Sequence, residues 1–311
     1  MRSVVRLTHS HVVLMFSHMH LGVKLPHTGT AVPAPAVADR ARHLENAGFD
    51  SLWVSDHVVQ PNVIESWYPF GADGKATWPT DTPYLEALVV LAAAAAVTDR
   101  VRLGTASLVL PQRNPVLLAK QVATVDTMSG GRVALGIGAG WLREEFEALE
   151  SPFETRGARM VEWIGLLRDC WTGAPAAHSG NHYELPAGTM VYPAPAHQIP
   201  LYIGGHSPVA LKRAGRLADG WLAQQAVPAL DPDQLAADIG VIRSAATAAG
   251  RDPATLHVVL RLVESTGRAA EIAQRIGDLT KAGVGEIIVD VDPLDGDAAA
   301  DHAILRDASN Q

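Results

Sequence analysis

The chain has one cysteine, Cys170, in 311 residues. That excludes an intrachain disulfide and points to a reducing compartment. Cys170 falls in the helical pattern Val161, Ile164, Leu167, Trp171, where a small buried apolar side chain is the ordinary reading and a reactive thiol the alternative. Positive charge is also scarce: 25 Lys and Arg against 33 Asp and Glu give a net charge of −8. Such a balance argues against nucleic acid or an anionic membrane as the main partner. No apolar run reaches the roughly 18 residues of a spanning helix. The run Val12 to Phe16 also falls short of the roughly 7 to 15 residues of a secretory signal, so a cytoplasmic location is expected. Histidine is not scarce, and His9, His11, His18, His20 and His27 crowd the start. They have no cysteine or carboxylate at ligand spacing, so no metal is expected.

What is present reads as an α/β chain. Hydrophobic content of 48% with 19% charged residues is ordinary for a globular protein, and this length suits one α/β barrel. Residues 1–18 show no periodicity, cap or targeting signal, and are expected to be a poorly structured leader or a misassigned start. Residues 19–311 are expected to form one barrel domain. Strand starts fall near residues 20, 50, 101, 132, 200, 220, 256 and 286, with helical patterns between them. Ala47-Gly48-Phe49-Asp50 and Ala282-Gly283-Val284-Gly285 repeat one helix–glycine–strand corner, as a ring whose last strand lies beside its first requires. The predicted fold is therefore a (β/α)8 barrel with insertions after strands 2 and 4. The first insertion, residues 60–84, carries Trp67, Tyr68, Trp78 and Tyr84. A loop of this length in a compact domain is usually functional, and its aromatics suit a lid or wall over a pocket. Arg268 to Lys281 reads as one helix and Glu286 to Val291 as the closing strand.

The central unit runs from Val101 to Trp141. Pro115 opens a helix and Gly130-Gly131 closes it, giving a strand–helix–strand crossover. Both strands end in small residues, Thr105-Ala106-Ser107 and Gly136-Ile137-Gly138-Ala139-Gly140. Ligands of parallel α/β folds bind outside the carboxyl ends of strands, where small residues let a flat ring lie against the backbone. The plain alternative is two tight turns that need glycine. Farther on, Gly204-Gly205-His206-Ser207-Pro208 ends a strand and caps a helix, which makes an anion site of free N–H groups. Lys212, Arg213 and Arg216 follow on that helix as candidate phosphate-side cations.

These residues carry a resemblance. Leu103-Gly104-Thr105, Pro111-Gln112-Arg113-Asn114-Pro115 and Gly136-Ile137-Gly138-Ala139-Gly140-Trp141-Leu142-Arg143-Glu144-Glu145-Phe146 resemble the luciferase-like monooxygenase superfamily, and within it the coenzyme F420-dependent oxidoreductases. The resemblance implies a deazaflavin across the barrel mouth with its phosphate tail at Gly204-Gly205-His206-Ser207. By motif, it implies Asp56, Thr105, Ala106, Ser107, Gly138, Ala139, Gly140, Gly204, Gly205, His206 and Ser207 as cofactor-binding residues, and a cis peptide between Ala106 and Ser107. Trp67, Tyr68, Trp78 and Trp141 are the expected substrate walls. At Trp141 the chain departs from the sugar-phosphate dehydrogenase of this branch, which has an acidic proton donor there, so a sugar phosphate is not the expected substrate.

His57 is the expected catalytic residue. Hydride transfer at a carbonyl-like carbon also moves a proton on the neighbouring heteroatom, and histidine's reference pKa of about 6.5 suits that task. A carboxylate beside it would favour the imidazolium form, and the adjacent Asp56 can serve only if the strand has already ended there, because neighbours on a strand point to opposite faces; a role for His57 in bracing the loop base is the alternative. The expected activity is F420-dependent hydride exchange with a small organic substrate. The alternatives are an FMN-dependent monooxygenase and a cofactor-binding protein without turnover. A homodimer is expected, with neither nucleic acid nor membrane as partner.

Overall fold

The computed structural model describes residues 19–29, 36–71, 73–76, 78–292 and 297–310. The expected leader, residues 1–18, lies outside them. Eight parallel staves close a barrel: β1 (His20–Lys24), β2 (Ser51–Val54), β3 (Arg102–Thr105), continued after a break by β4 (Leu108–Val109), then β5 (Val133–Gly138), β8 (Leu201–Gly204), β9 (Gly220–Ala226), β10 (His257–Val263) and β11 (Glu286–Val289). The ring shuts where β1 pairs with β11, Gly22 opposite Ile288, and where β3 pairs with β5, Leu103 opposite Val133. The last strand thus lies beside the first, as the repeated corner predicts. At both corners the glycine is left-handed, φ 109° at Gly48 and 102° at Gly283, a conformation that an L side chain resists.

Helices cover the outside: α1 (Ala36–Asn46), α2 (Ala87–Ala95), α3 (Pro115–Ser129), α4 (Arg143–Ala148), α5 (Arg156–Cys170), α6 (Pro208–Leu217), α7 (Pro232–Ala248), α8 (Ala269–Ala273), α9 (Ile276–Ala282) and α10 (Ala298–Ser309). Their ends follow local chemistry. Asn114 caps α3 by accepting from the Val116 and Leu117 amides, Pro115 fills the first turn, and Gly130 ends the helix in a left-handed turn. A side-chain cap of this kind is worth about 1 kcal/mol. Between α5 and β8 a short antiparallel hairpin forms, β6 (His178–Ser179) with β7 (Glu184–Leu185). The two insertions fall after the second and fourth staves, as expected.

Two local expectations are corrected. Arg268 to Lys281 is not one helix, because it breaks between Ala273 and Ile276 into α8 and α9. The closing strand also stops at Val289, short of the expected Val291; after it, α10 returns across the barrel's lower rim, where Arg306 bonds Asp50 at 2.7 Å. Cys170 is wholly buried in the core, and burial raises its thiol pKa, which disfavours the reactive form. Among the described residues no helix is long and apolar enough to cross a membrane, and no cluster suits a metal ion.

The barrel interior is layered. Trp53, Ala134, Tyr202, Leu222, Val259 and Ile288 fill its middle. Trp53 fits because the neighbouring strands carry glycine: a Cβ at Gly104 would stand 2.3 Å from its ring, and one at Gly22 would stand 2.8 Å from its Nε1. Below lies Glu286, fully buried, held by Arg102 at 2.6 Å and the Trp53 indole at 3.0 Å. The floor is therefore closed, and the open end is the carboxyl end of the strands.

Candidate active site

At that open end lies a cavity of about 1230 Å³, lined from seven of the eight staves or the residues just past them and roofed by the long loop after β2. Its size exceeds the roughly 300 to 1,000 Å³ that one drug-sized ligand fills, so it has room for two reactants. One wall is nearly free of side chains. Ala106 and Ser107 follow β3, joined by a cis peptide; Gly138, Ala139 and Gly140 end β5; Gly204 and Gly205 end β8. A Cβ at Gly138 would stand 2.8 Å from Ser107 Oγ, and one at Gly140 would stand 2.6 Å from the Phe146 ring. This wall admits a flat group and little else.

His57 lies three residues past β2, the stave beside β3, and its ring is 6.1 Å from that of Trp141, the residue after Gly140. Its Nδ1 lies 3.1 Å from Glu145 Oε2. Glu145, on α4, is 1% exposed, and its Oε1 also accepts the Val58 and Val59 amides at 2.6 and 3.1 Å. Burial pushes the Glu145 carboxyl up, but the His57 hydrogen bond and charge and the Val58 amide bring it below its usual range. An ionised Glu145 takes the proton on Nδ1, which assigns the tautomer and turns the Nε2 lone pair toward the cavity. The next residue, Glu144, accepts from the Glu65 and Ser66 amides at 2.7 and 3.0 Å and from the Ser66 hydroxyl at 2.7 Å. One turn of α4 therefore fixes both the histidine and the base of the loop.

The loop packs its rings around His57. Tyr68 meets Trp141 at 5.0 Å and Trp78 at 5.2 Å, while the His57 ring lies 5.4 Å from Tyr84 and 6.1 Å from Trp141. Trp67 also lines the cavity, though it is 68% exposed. Burial holds the Tyr84 phenol protonated far above its usual range, and its hydroxyl donates to Ser55 Oγ.

The far end is cationic. Ser207 caps α6 by accepting from the Ala210 amide, with Gly205 at φ 115° ahead of it. His206 turns inward, its Nε2 accepting the Gln224 amide at 3.0 Å. Arg156 and Arg213 line this end, and burial lowers the pKa of both. Arg156 is aimed by Gly140 O at 3.1 Å and by the Phe153 ring, 3.7 Å beneath it.

Several expected site residues are placed differently. Thr105 does not reach the cavity: it is wholly buried and its hydroxyl donates to Gly136 O at 2.7 Å. Asp56 touches the cavity, but its carboxylate is occupied by Arg113 through both oxygens, at 2.7 and 2.8 Å, and by the Val109 amide at 2.9 Å. Burial raises its pKa while Arg113 opposes. It ties the end of β2 to the segment after β3 and is not the partner of His57. Of the three cations on α6 only Arg213 lines the cavity; Lys212 and Arg216 are exposed. The residues not foreseen are Glu145, Glu144, Arg113 and Arg156. Glu144-Glu145 stood inside a motif the sequence displayed, but nothing local shows which of two neighbouring carboxylates turns inward.

A family model described as luciferase-like monooxygenase matches residues 14–285. An uncharacterized protein of Mycobacterium bovis is 36% identical over 220 residues, covering 70% of this chain and 74% of the relative. An F420-dependent glucose-6-phosphate dehydrogenase of Nakamurella multipartita is 31% identical over 288 residues, covering 88% and 77%. The fold also matches a solved F420-dependent secondary alcohol dehydrogenase bound to an F420–acetone adduct, with a TM-score of 0.73 at 20% identity over 94% of this chain and 99% of that one.

Proposed function

The chain belongs to the luciferase-like monooxygenase family, and from that membership and the geometry of its cavity we propose that it is a coenzyme F420-dependent oxidoreductase. The observation that carries the reading is His57, held by buried Glu145 at 3.1 Å, in one cavity with a wall made of Ala106, Ser107, Gly138 and Gly204. A match over 88% of this chain and 77% of a relative that is an F420-dependent glucose-6-phosphate dehydrogenase supports it.

The cavity fits such a cofactor on its own terms. The small-residue wall accepts a planar ring, since Gly138 and Gly140 have no room for a Cβ. The capped start of α6, with Arg156 and Arg213 beside it, suits an anionic tail. Ala106, Ser107, Gly138, Ala139 and Gly140 would hold the ring; Gly204, Gly205, His206 and Ser207, with the two arginines, would hold the tail. A deazaflavin, when bound, supplies a carbon centre that gives or accepts a hydride.

This chain's own residues supply the rest. Glu145 holds the imidazole with its proton on Nδ1, so Nε2 is free to take a proton from a substrate hydroxyl, or to return one to a carbonyl oxygen once it is protonated. The Val58 and Val59 amides keep Glu145 ionised and oriented. Tyr68, Trp78 and Trp141 exclude water and press the substrate toward the small wall. Asp56 with Arg113 keeps the strand ends in register beneath it.

The test is titration with F420 and with FMN, read by fluorescence of the seven tryptophans. F420 should quench with the higher affinity, and Arg156→Met and Arg213→Met should each weaken it. Tighter FMN binding would favour the monooxygenase reading. F420 binding without hydride exchange on any alcohol or carbonyl compound would leave a carrier protein.

A further inference from the structure

The uppermost inward layer of the barrel is divided in two. On the side of β3, β5 and β8 it is small: Ala106, Gly138 and Gly204. On the other side it is polar: neutral Gln224 on β9 stands among the charged Lys24 on β1, Arg261 on β10 and Asp290 just past β11. The register sets this layer. Lys24 lies opposite Trp53, and Arg261 lies opposite both Gln224 and Ile288. Lys24, Gln224 and Arg261 all line the cavity.

Arg261 is fully engaged. It donates to Asp290 Oδ1 at 2.6 Å and to Leu262 O at 2.7 Å, and its side chain is 9% exposed. Lys24 is not: among the described residues no hydrogen bond or ion pair is made by its ammonium. Two cations thus stand against one carboxylate, already taken by Arg261, and a positive charge is left over at the floor of the cavity. Burial, then the Arg261 charge, pull the Lys24 pKa down, while Asp290 supports it. Lys24 is only partly buried and lines the cavity, so its ammonium, without a partner among the described residues, is placed to meet an anionic group of a ligand there.

We propose that the Lys24 ammonium binds a carboxylate of the substrate, so that the substrate is an organic acid whose apolar body lies against Tyr68, Trp78 and Trp141. The rings supply a flat apolar enclosure above the polar half of the layer, and the Tyr68 phenol, near Gln224 and Arg261, links the two. The small half stays free for the cofactor ring. This assignment rests on the oxidoreductase reading in taking the acid as the compound that exchanges hydride.

The test is calorimetric binding of benzoate and of its neutral analogue benzamide, to protein with and without F420. Wild-type protein should bind benzoate at least about tenfold more tightly than benzamide. Lys24→Met should remove that preference through loss of a charge-assisted pair, a change of roughly 10- to 100-fold, while benzamide binding stays the same. Lys212→Met, at an exposed position on α6 outside the cavity, should leave the preference intact. Lys24→Gln provides a second variant, with circular dichroism checking the fold of each. Equal binding of the two probes by wild type, an unchanged preference in both Lys24 variants, or its loss in Lys212→Met would overturn the proposal. So would an equal weakening of F420 by Lys24→Met, which would assign the ammonium to the cofactor. Failure of wild type to bind F420 would instead overturn the oxidoreductase reading alone, because the benzoate preference is read equally without cofactor.

Discussion

Glu145→Gln is the sharpest perturbation of the site, because it changes charge and hydrogen-bond polarity at nearly constant shape. Glu145 accepts three N–H bonds, from His57 Nδ1, Val58 and Val59, and is 1% exposed. In the glutamine variant the amide oxygen stays with the two backbone amides and the NH₂ group faces His57 Nδ1. An NH₂ group cannot accept from Nδ1–H. The imidazole must move its proton to Nε2, and the lone pair that faced the cavity is lost. Removing a correctly placed base costs about 10² to 10⁴ in rate. Two charge-assisted bonds also become neutral ones, at about 1 kcal/mol each, for a loss near 2 kcal/mol. With an unfolding entropy of about 2.1 cal/mol/K per residue, that corresponds to a fall in Tm of about 3 °C.

Three measurements separate the possibilities. Nitrogen NMR of ¹⁵N-histidine protein, with His57→Ala used to assign the signal, should show the tautomer reversed in Glu145→Gln. F420 affinity should stay within a few-fold. Turnover, followed by the visible absorbance of the deazaflavin, should fall by at least a hundredfold. An unchanged tautomer, or a loss of cofactor affinity as large as the loss of turnover, would refute the reasoning.

Arg113→Met strands the buried Asp56 carboxylate, whose side chain is fully covered; at about 3–5 kcal/mol for one half of a buried pair, Tm by calorimetry should fall about 5–8 °C. His27 is wholly buried between Leu25 O at 2.7 Å and Ser55 O at 3.1 Å, and burial lowers its pKa from 6.5 to about 4. The unfolded chain therefore binds the extra proton first, so stability is full above pH 6.5 and falls by about 3 kcal/mol as pH drops to about 4; His27→Gln should flatten that slope in denaturant titrations at stepped pH. Gly138→Val places methyl groups against Ser107 Oγ, where a Cβ already stands at 2.8 Å; the protein should fold normally by circular dichroism yet bind F420 at least about tenfold more weakly.

The fold was legible because each of its signals is local. Strand starts, capped helices such as α3, and the glycine corners at Gly48 and Gly283 are set by neighbours within a few residues. The break in α8–α9 escaped because the sequence from Arg268 to Lys281 keeps a helical composition throughout; α10 escaped because its docking at the lower rim depends on Asp50, remote in sequence. The site divides along the same line. Its small wall was visible as glycine and alanine at strand ends, since an absent side chain is a property of one position. Which carboxylate serves His57 was not visible, because Asp56 adjoins it in sequence and Glu145 lies 88 residues away. Adjacent residues point apart along an extended chain, so proximity in sequence weighed against Asp56 and in favour of a distant partner. The structure gives each carboxylate a different basic group: Arg113 for Asp56, His57 for Glu145. Asp56 is neutralised where it stands, at the end of β2, by Arg113 and the Val109 amide. The Arg113 ion pair therefore keeps the two acids in separate roles, one holding the strand ends and one holding the proton in place.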